Sequence, residues 1–479
     1  MVSDISHPSL SLRAEGVAIP KHSWRLLHYI RNDIPLEMLS TGFASAMLDY
    51  MKRVVSNSGD EVRRFGTVDY IKITILGFGL SALWSCLHTI ILPLRILDFV
   101  PESLKNTYLD VLILTGLVIA MAVQPIAGAI SDRSGFTWGR RRPYILLGSI
   151  LVLLFLPGIG FCGSYAAIFI IYCLLQISSN TAQGPFQGFI PDLVSEKKRG
   201  LASGVRSFLN LLGGIALIYL IDFSMDRYHA GQGSSWLWLS LGAPAIFLFG
   251  AMLVTVLMVK EPPGASSSQL PLLPTLYKSF KIDVKANPAF IPFLVACFFI
   301  FMAWGILMAH AKYYFMDVVG VTGPVPVTGT FLTVVGICML AVVYPAGRLS
   351  DRIGRKPMVV SSGLLGALGV ALLFFSSQSY LHIMLCGALL GIGGGAWTSS
   401  QWALATDLVG KGEEARYLGL VNMSVAGAGA AARLIGPVID FFNAYNSNLP
   451  NLGYSVMLGA CFICFIAGSL LLLKIKKRG

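Results

Sequence analysis

The chain has 479 residues, of which 55% are hydrophobic and 13% charged, against about 25% charged in an average soluble protein. So few charges cannot cover a water-soluble surface of this size, which excludes a soluble enzyme and a disulfide scaffold. The net charge of +12 would suggest a nucleic-acid surface in a soluble protein, but its distribution along the chain gives another answer.

The first 69 residues carry 16 of the 60 charges and no spanning run. No signal peptide is visible there. Leu36, Leu39, Phe43, Met47, Tyr50 and Val54 share one helical face after Pro35, which predicts an amphipathic helix over about 36–55, lying on a membrane surface or on the cytoplasmic face of the protein. Anchoring and regulation are its two alternatives.

Long apolar runs follow. Lys72 to Arg95 encloses 22 residues without Asp, Glu, Lys or Arg; Arg142 to Asp192 encloses 49, and Lys356 to Asp407 encloses 50. One bilayer crossing takes about 20 apolar residues, so the two longest runs are double crossings with uncharged turns. The pattern predicts an all-α polytopic membrane protein with twelve transmembrane helices at about 70–97, 107–131, 143–162, 164–191, 201–222, 236–259, 288–312, 326–348, 357–377, 380–407, 416–441 and 452–473. With both termini on one side, that side holds 29 Lys and Arg and the other holds 4, Arg95, Lys105, Arg227 and Lys312. The positive-inside rule then places both termini in the cytoplasm, and the basic excess is a topology signal rather than a nucleic-acid surface. All eight cysteines fall inside predicted helices, only Cys461 and Cys464 approach a metal-ligand spacing, on a lipid or packing face, and all read as buried thiols.

The chain also repeats itself. Gly128-Ala-Ile-Ser-Asp132-Arg133 ends the second predicted helix, and Gly347-Arg-Leu-Ser-Asp351-Arg352 ends the eighth, 219 residues later. Gly139-Arg140-Arg141 and Gly354-Arg355-Lys356 follow at an offset of 215, which also relates Asp192-Leu193-Val194 to Asp407-Leu408-Val409. Matches at a coherent offset, enclosing runs of near-equal length, predict two pseudo-symmetric six-helix bundles, a transporter architecture. The expected domains are a cytoplasmic extension over 1–69, bundles over 70–259 and 288–475, and a linker over 260–287.

The pattern G-x-x-x-D-R-x-G-R-[RK] in Gly347 to Lys356 resembles the cytoplasmic loop signature of the major facilitator superfamily, and the resemblance covers roughly 70–475. Ser179-Asn180-Thr181-Ala182-Gln183-Gly184-Pro185, followed by Asp192-Leu193, is similar to the N-N-T-x-Q-G-P stretch of the sucrose/proton symporters; Gly139 to Pro143 and Asn210 fit that group too. The resemblance implies the major facilitator fold and alternating access to a midplane sugar site. Two positions depart from it. Gln176 stands where the group carries an acid, and Gln187 where it carries an Arg. Glutamine cannot titrate, so the acid through which the group couples protons to sugar is missing from this helix.

The loop motif has a physical reading. Gly128 and Gly347 let their helices approach helices eleven and five, and Asp132 can face the start of helix eleven near Arg416. Asp351 would face Arg199 and Gly200. Such contacts, with Arg133, Gly139, Arg140, Arg141, Arg352, Gly354 and Arg355, form a gating motif that must part when the protein opens inward. For the basic residues, topology and lipid headgroups are the alternative.

Candidate substrate residues are polar or aromatic side chains inside the crossings. Gln176, Asn180, Gln183 and Gln187 lie at spacings of 4, 3 and 4, one helical stripe of amides that suits a hydroxyl-rich ligand; interhelical bonding is the alternative. Trp84, His88, Trp304, Trp397 and Gln401 complete the set, since Trp rings stack on a pyranose face. His310, beside Lys312, reads as an ordinary interface residue. His88 and Arg433 are the coupling candidates, and the partner of Arg433 is not legible. Asp110 and Asp222 lie nearer the outer surface.

No HExxH, GxSxG or phosphate loop supports an enzyme. The sequence predicts a secondary transporter of a small polar solute, most simply a sugar, with proton symport as leading mode and uncoupled facilitation or export of another small molecule as the alternative. The bilayer, a sugar and protons are its expected partners, a monomer its expected state, and no cofactor, metal or nucleic acid is expected.

Overall fold

A computed structural model describes residues 66–195, 198–261, 289–320, 326–375, 379–408, 414–445 and 451–475. The expected amphipathic helix over 36–55 and the linker beyond Glu261 lie outside these residues, as does the side chain of Arg416.

The described residues contain twelve helices long and apolar enough to cross a membrane. They are α1 (Val68–Ile96), α2 (Glu102–Asp132), α3 (Arg142–Phe161), α4 (Tyr165–Leu193), α5 (Arg199–His229), α6 (Ser235–Met258), α7 (Phe290–Val319), α8 (Val327–Ile353), α9 (Arg355–Phe374), α10 (Tyr380–Ala405), α11 (Leu420–Tyr445) and α12 (Leu452–Lys474). Each is at least 20 residues long, enough for the roughly 30 Å hydrocarbon layer. Large apolar side chains such as Leu154, Phe161 and Ile246 stay exposed, as lipid-facing residues must.

Packing repeats in the two halves. α2 packs on α4 and α8 on α10; α3 on α4 and α9 on α10; α1 on α5 and α6, and α7 on α11 and α12. Small residues allow the closest approaches. A Cβ on Gly213 of α5 would lie 2.2 Å from the Phe78 carbonyl oxygen of α1, and one on Gly391 of α10 would lie 2.4 Å from that of Val335 in α8.

The helices also break at matched places. α2 and α8 each contain a proline, Pro125 and Pro345, which removes a backbone donor. α5 divides at Leu217, between segments Arg199–Ala216 and Ile218–His229. α11 divides at Arg433 and Leu434, and its second segment runs Ile435–Tyr445. These second segments carry Asp222 and Asp440.

Lys72, Arg206 and Arg433, the cations that the sequence places inside helices, each sit against a partner. Lys72 lies 3.5 Å from Asp69. The Arg206 guanidinium lies over the Phe186 ring at 5.2 Å. Arg433 Nη1 lies 3.5 Å from Asp110 Oδ1, which supplies the partner that sequence alone could not.

Candidate substrate site and gates

The polar residues of α1 and α4 meet inside the N-terminal half. Trp84 Nε1 donates to Ser179 Oγ at 2.8 Å. Gln176 Nε2 donates to Tyr172 Oη at 2.8 Å, and Tyr172 Oη lies 2.9 Å from His88 Nε2. The phenol thus bridges Gln176 and His88. Asn180 Nδ2 donates to Gln176 through the main-chain oxygen at 2.8 Å and Oε1 at 3.1 Å. The rings of Trp84 and His88 stand 4.9 Å apart, tilted, and Tyr172 meets Trp84 edge-on at 6.1 Å. Trp84, His88, Gln176 and Asn180 therefore form one cluster. Tyr172 and Ser179 belong to it and were not singled out from sequence; Tyr172 lies one turn before Gln176, the signal that could have found it.

The rest of the amide stripe separates from this cluster. Gln183 is half-buried and Gln187 exposed toward the end of α4. In the C-terminal half the Trp304 ring lies against α10, where a Cβ on Gly394 would come within 2.6 Å of it, and meets Phe465 of α12 edge-on. Trp397 is buried against Phe301, its indole Nε1 without a hydrogen-bond partner. Gln401 is buried, with Cys297 Sγ 3.7 Å from its Oε1.

At the ends that carry the basic loops, the ion pairs among the described residues lie within one half. Asp192 Oδ2 accepts from Arg140 at 2.6 Å and from Arg141 at 2.5 Å. Arg141 also lies 2.7 Å from Asp132. In the other half Arg355 bonds Asp407 and lies 3.9 Å from Asp351. Gly128 faces Gly184 of α4, Gly347 faces Ser399 of α10, and Arg199 donates to the Pro191 and Val194 carbonyls. Among the described residues no Asp351–Arg199 ion pair is seen, α8 meets α5 through Gly336 and Ile215 rather than through Gly347, and the start of α11 that Asp132 was expected to face lies outside the described side chains. Arg133, Gly139, Arg352 and Gly354 sit in or beside the same loops, and Gly139 and Gly354 both have positive φ, which favours glycine.

Glu261 ties the end of α6 to this region. Its carboxylate accepts from the backbone N–H of Arg141 at 3.0 and 3.1 Å and of Arg142 at 3.3 Å, at the start of α3. Burial raises the Glu261 carboxyl above the usual carboxylate value, and these N–H bonds only partly offset that. Its contribution to stability is therefore greatest in acid and declines as pH rises past about 4.3, where the unfolded group ionises. Glu261→Gln is expected to flatten the pH dependence of the melting temperature above that value. Identical pH profiles for the two proteins would refute this.

The opposite ends are bonded across the halves. Asp440 of α11 accepts from the Thr107 backbone N–H at 2.7 Å and its hydroxyl at 2.6 Å, at the start of α2, and from Asn106 Nδ2 at 2.8 Å. Asp222 of α5 accepts from the Gly329 N–H at 2.6 Å, at the start of α8, and from Lys312 Nζ at 2.7 Å. Each half thus caps a helix of the other with a carboxylate, where unpaired amides and the helix dipole favour an anion. Asp110 of α2 adds a third such bond, accepting from the Gly436 N–H of α11 at 2.8 Å. Lys105 lies 2.7 Å from Asp317 of α7, Tyr454 donates to Asp317 at 2.6 Å, and Tyr313 donates to the Pro93 carbonyl at 2.7 Å. Asp110, Asp222 and His310 are fully buried. His310, expected at an interface, instead lies with Nε2 3.3 Å from Asp110 Oδ2, because the joined halves exclude solvent from α7.

The family description "MFS/sugar transport protein" matches residues 75–475. The chain belongs to that family. That family is one of transport proteins, not of enzymes. The sucrose transport protein SUT1 of Oryza sativa subsp. japonica is 29% identical over 33% of this chain and 35% of its own length. The lactose permease of Leuconostoc lactis is 22% identical over 67% of this chain and 53% of its own length. The matched segments thus span about a third to a half of these relatives. The crystal structure of the nucleoside transporter NupG superposes with a TM-score of 0.65 at 13% identity, covering 85% of this chain and all of that one. The transporter therefore has the major facilitator fold in an integral, multi-pass membrane chain.

Proposed function

We propose that the transporter carries a small hydroxyl-rich solute, a sugar, by alternating access and proton symport, with the basic ends and both termini in the cytoplasm. The cross-half carboxylate caps at the non-basic ends carry this reading. With the halves bonded there and the basic ends paired within each half among the described residues, the arrangement fits an inward-facing state of a rocking pair of bundles. The gating motif would then engage in the outward-facing state, where Asp132 and Asp351 are free to meet the other half. The Trp84–Gln176–Asn180 cluster, with Trp304, Trp397 and Gln401 across from it, would receive the solute, ring faces stacking on apolar sugar edges and amides pairing with hydroxyls. Similarity to sucrose and lactose carriers supports a disaccharide as the first candidate.

Uptake of labelled sucrose and lactose into proteoliposomes, at two pH values and with an uncoupler, tests it. Accumulation abolished by the uncoupler is expected. Asn180→Ala is expected to raise the half-saturation concentration about tenfold, the loss of one or two buried hydrogen bonds at about 1 kcal/mol each. No uptake of either sugar would remove the proposal. Sugar counterflow indifferent to pH and uncoupler would favour the second reading, an uncoupled facilitator, which the untitratable Gln176 favours.

A further inference from the structure

The non-basic ends form a closed seam, where the Thr107, Gly329 and Gly436 N–H groups donate to carboxylates of the other half. Farther in, α5 still meets α8, and a Cβ on Gly336 would strike Ile215. Arg206 comes nine residues before Ile215 on α5, about 14 Å nearer the basic end at 1.5 Å per residue. Its half-buried side chain turns into the N-terminal bundle. The guanidinium lies over the buried Phe186 ring of α4, and Asn210, one turn on, lies against Gly77 of α1. α1 and α4 are the helices that hold the Trp84–Gln176–Asn180 cluster. Phe186 follows Asn180 by six residues, about 9 Å along α4. Arg206 thus stands between the cluster and the basic end.

Its charge is unmatched. Among the described residues no carboxylate acts on Arg206, and its guanidinium makes no hydrogen bond. The acids described at that end of the bundle are engaged: Asp69 by Lys72, Asp132 by Arg141, Asp192 by Arg140 and Arg141, and Glu261 by the N–H groups that start α3. The cluster carries no acid. Arg433 adds to the positive side: its charge reaches His88 and Tyr172, its Nε has no partner, and its carboxylate, Asp110, stands at 3.5 Å. An unbalanced cation inside a crossing is expensive. The guanidinium N–H groups lie in its plane, so a ring over one face leaves them free to pair with a carboxylate. A phosphomonoester, with about two negative charges, would exceed the one charge to be balanced.

We propose that the solute is a sugar bearing one carboxylate, and that Arg206 is the residue that selects it on the inward side of the pathway. The roughly 9 Å rise from Asn180 to Phe186 matches the length of a disaccharide. The hydroxyls of one end then pair with the amides of α4, while the carboxylate of the other supplies the charge that Arg206 lacks.

The assignment deepens the sugar reading and rests on it. Calorimetric titration of the purified protein with lactobionate and lactitol tests it. These disaccharides share a galactose and an open chain, and differ by a carboxylate in place of a hydroxymethyl group. Lactobionate is expected to bind at least about tenfold tighter, as one charge-assisted pair provides. Arg206→Gln should abolish that preference, and Arg206→Lys should keep part of it. Equal affinities in the native protein overturn the assignment and leave the sugar reading standing. An equal loss of both ligands in Arg206→Gln, with a lower melting temperature, would show a clamp between α4 and α5 and also overturns it. Succinate, a carboxylate without hydroxyls, separates the readings in the other direction. Arg206-dependent binding of succinate, with neither disaccharide bound, ends the sugar reading and keeps the anion site. Binding of none of the three overturns both.

Discussion

Lys312→Met is expected to lower stability by about 3–5 kcal/mol, because it strands a carboxylate in a closed interior. Lys312 Nζ bonds Asp222, which has no exposed surface, and Asp226, which is half-exposed. Asp226 can turn to water. Asp222 cannot, and retains only the Gly329 N–H. The loss falls on the state in which the non-basic ends are shut, since opening rehydrates Asp222. The variant should therefore melt earlier and also dwell in the open state. Adding Asp222→Asn removes the stranded charge and should recover a substantial part of the loss. Thermal melting of both variants in detergent checks this. A single variant that melts with the native protein would show that the pair contributes nothing to closure.

Gly436→Ala is the second large effect. A Cβ there would lie 2.5 Å from the Asn106 carbonyl oxygen and 2.7 Å from Asp110 Oδ2, both in the opposite half. The oxygen belongs to the backbone of α2 and cannot yield, so the clash exists only while the halves are joined. An overpacked contact costs about 1–3 kcal/mol, which corresponds to a shift of roughly 5- to 150-fold toward the open seam. Gly429→Ala, on the same helix with nothing within 4 Å, is the control for any general effect of alanine. Exchange of the Thr107 amide reads the difference. Equal rates in the two variants would mean that this contact does not set the equilibrium.

The distribution of information between sequence and structure follows from what each interaction depends on. Twelve crossings were legible because a spanning helix satisfies its own backbone, so length and hydropathy suffice. The halves were legible because Asp132 and Asp351, or Asp192 and Asp407, sit at repeating offsets. Part of the candidate site was legible too, since Gln176 and Asn180 are one turn apart and every helix brings such residues to one face. Tyr172 was missed, although it lies on the same stripe, because a tyrosine in a crossing is common and its role comes from His88 on another helix.

The seam was not legible at all. Asp110 and Gly436 are 326 residues apart, and Asp222 and Gly329 are 107 apart. Nothing in either segment alone says that a carboxylate will cap a helix of the opposite bundle. Arg433 stood out by type and His310 did not, and only packing brought both beside Asp110. The sequence by itself thus determined the membrane class, the helix count, the duplication and the basic side, all of which depend on local composition and period. The tertiary structure decided which ends are joined and what each buried charge faces. Those depend on the approach of two bundles, and that approach changes as the protein works.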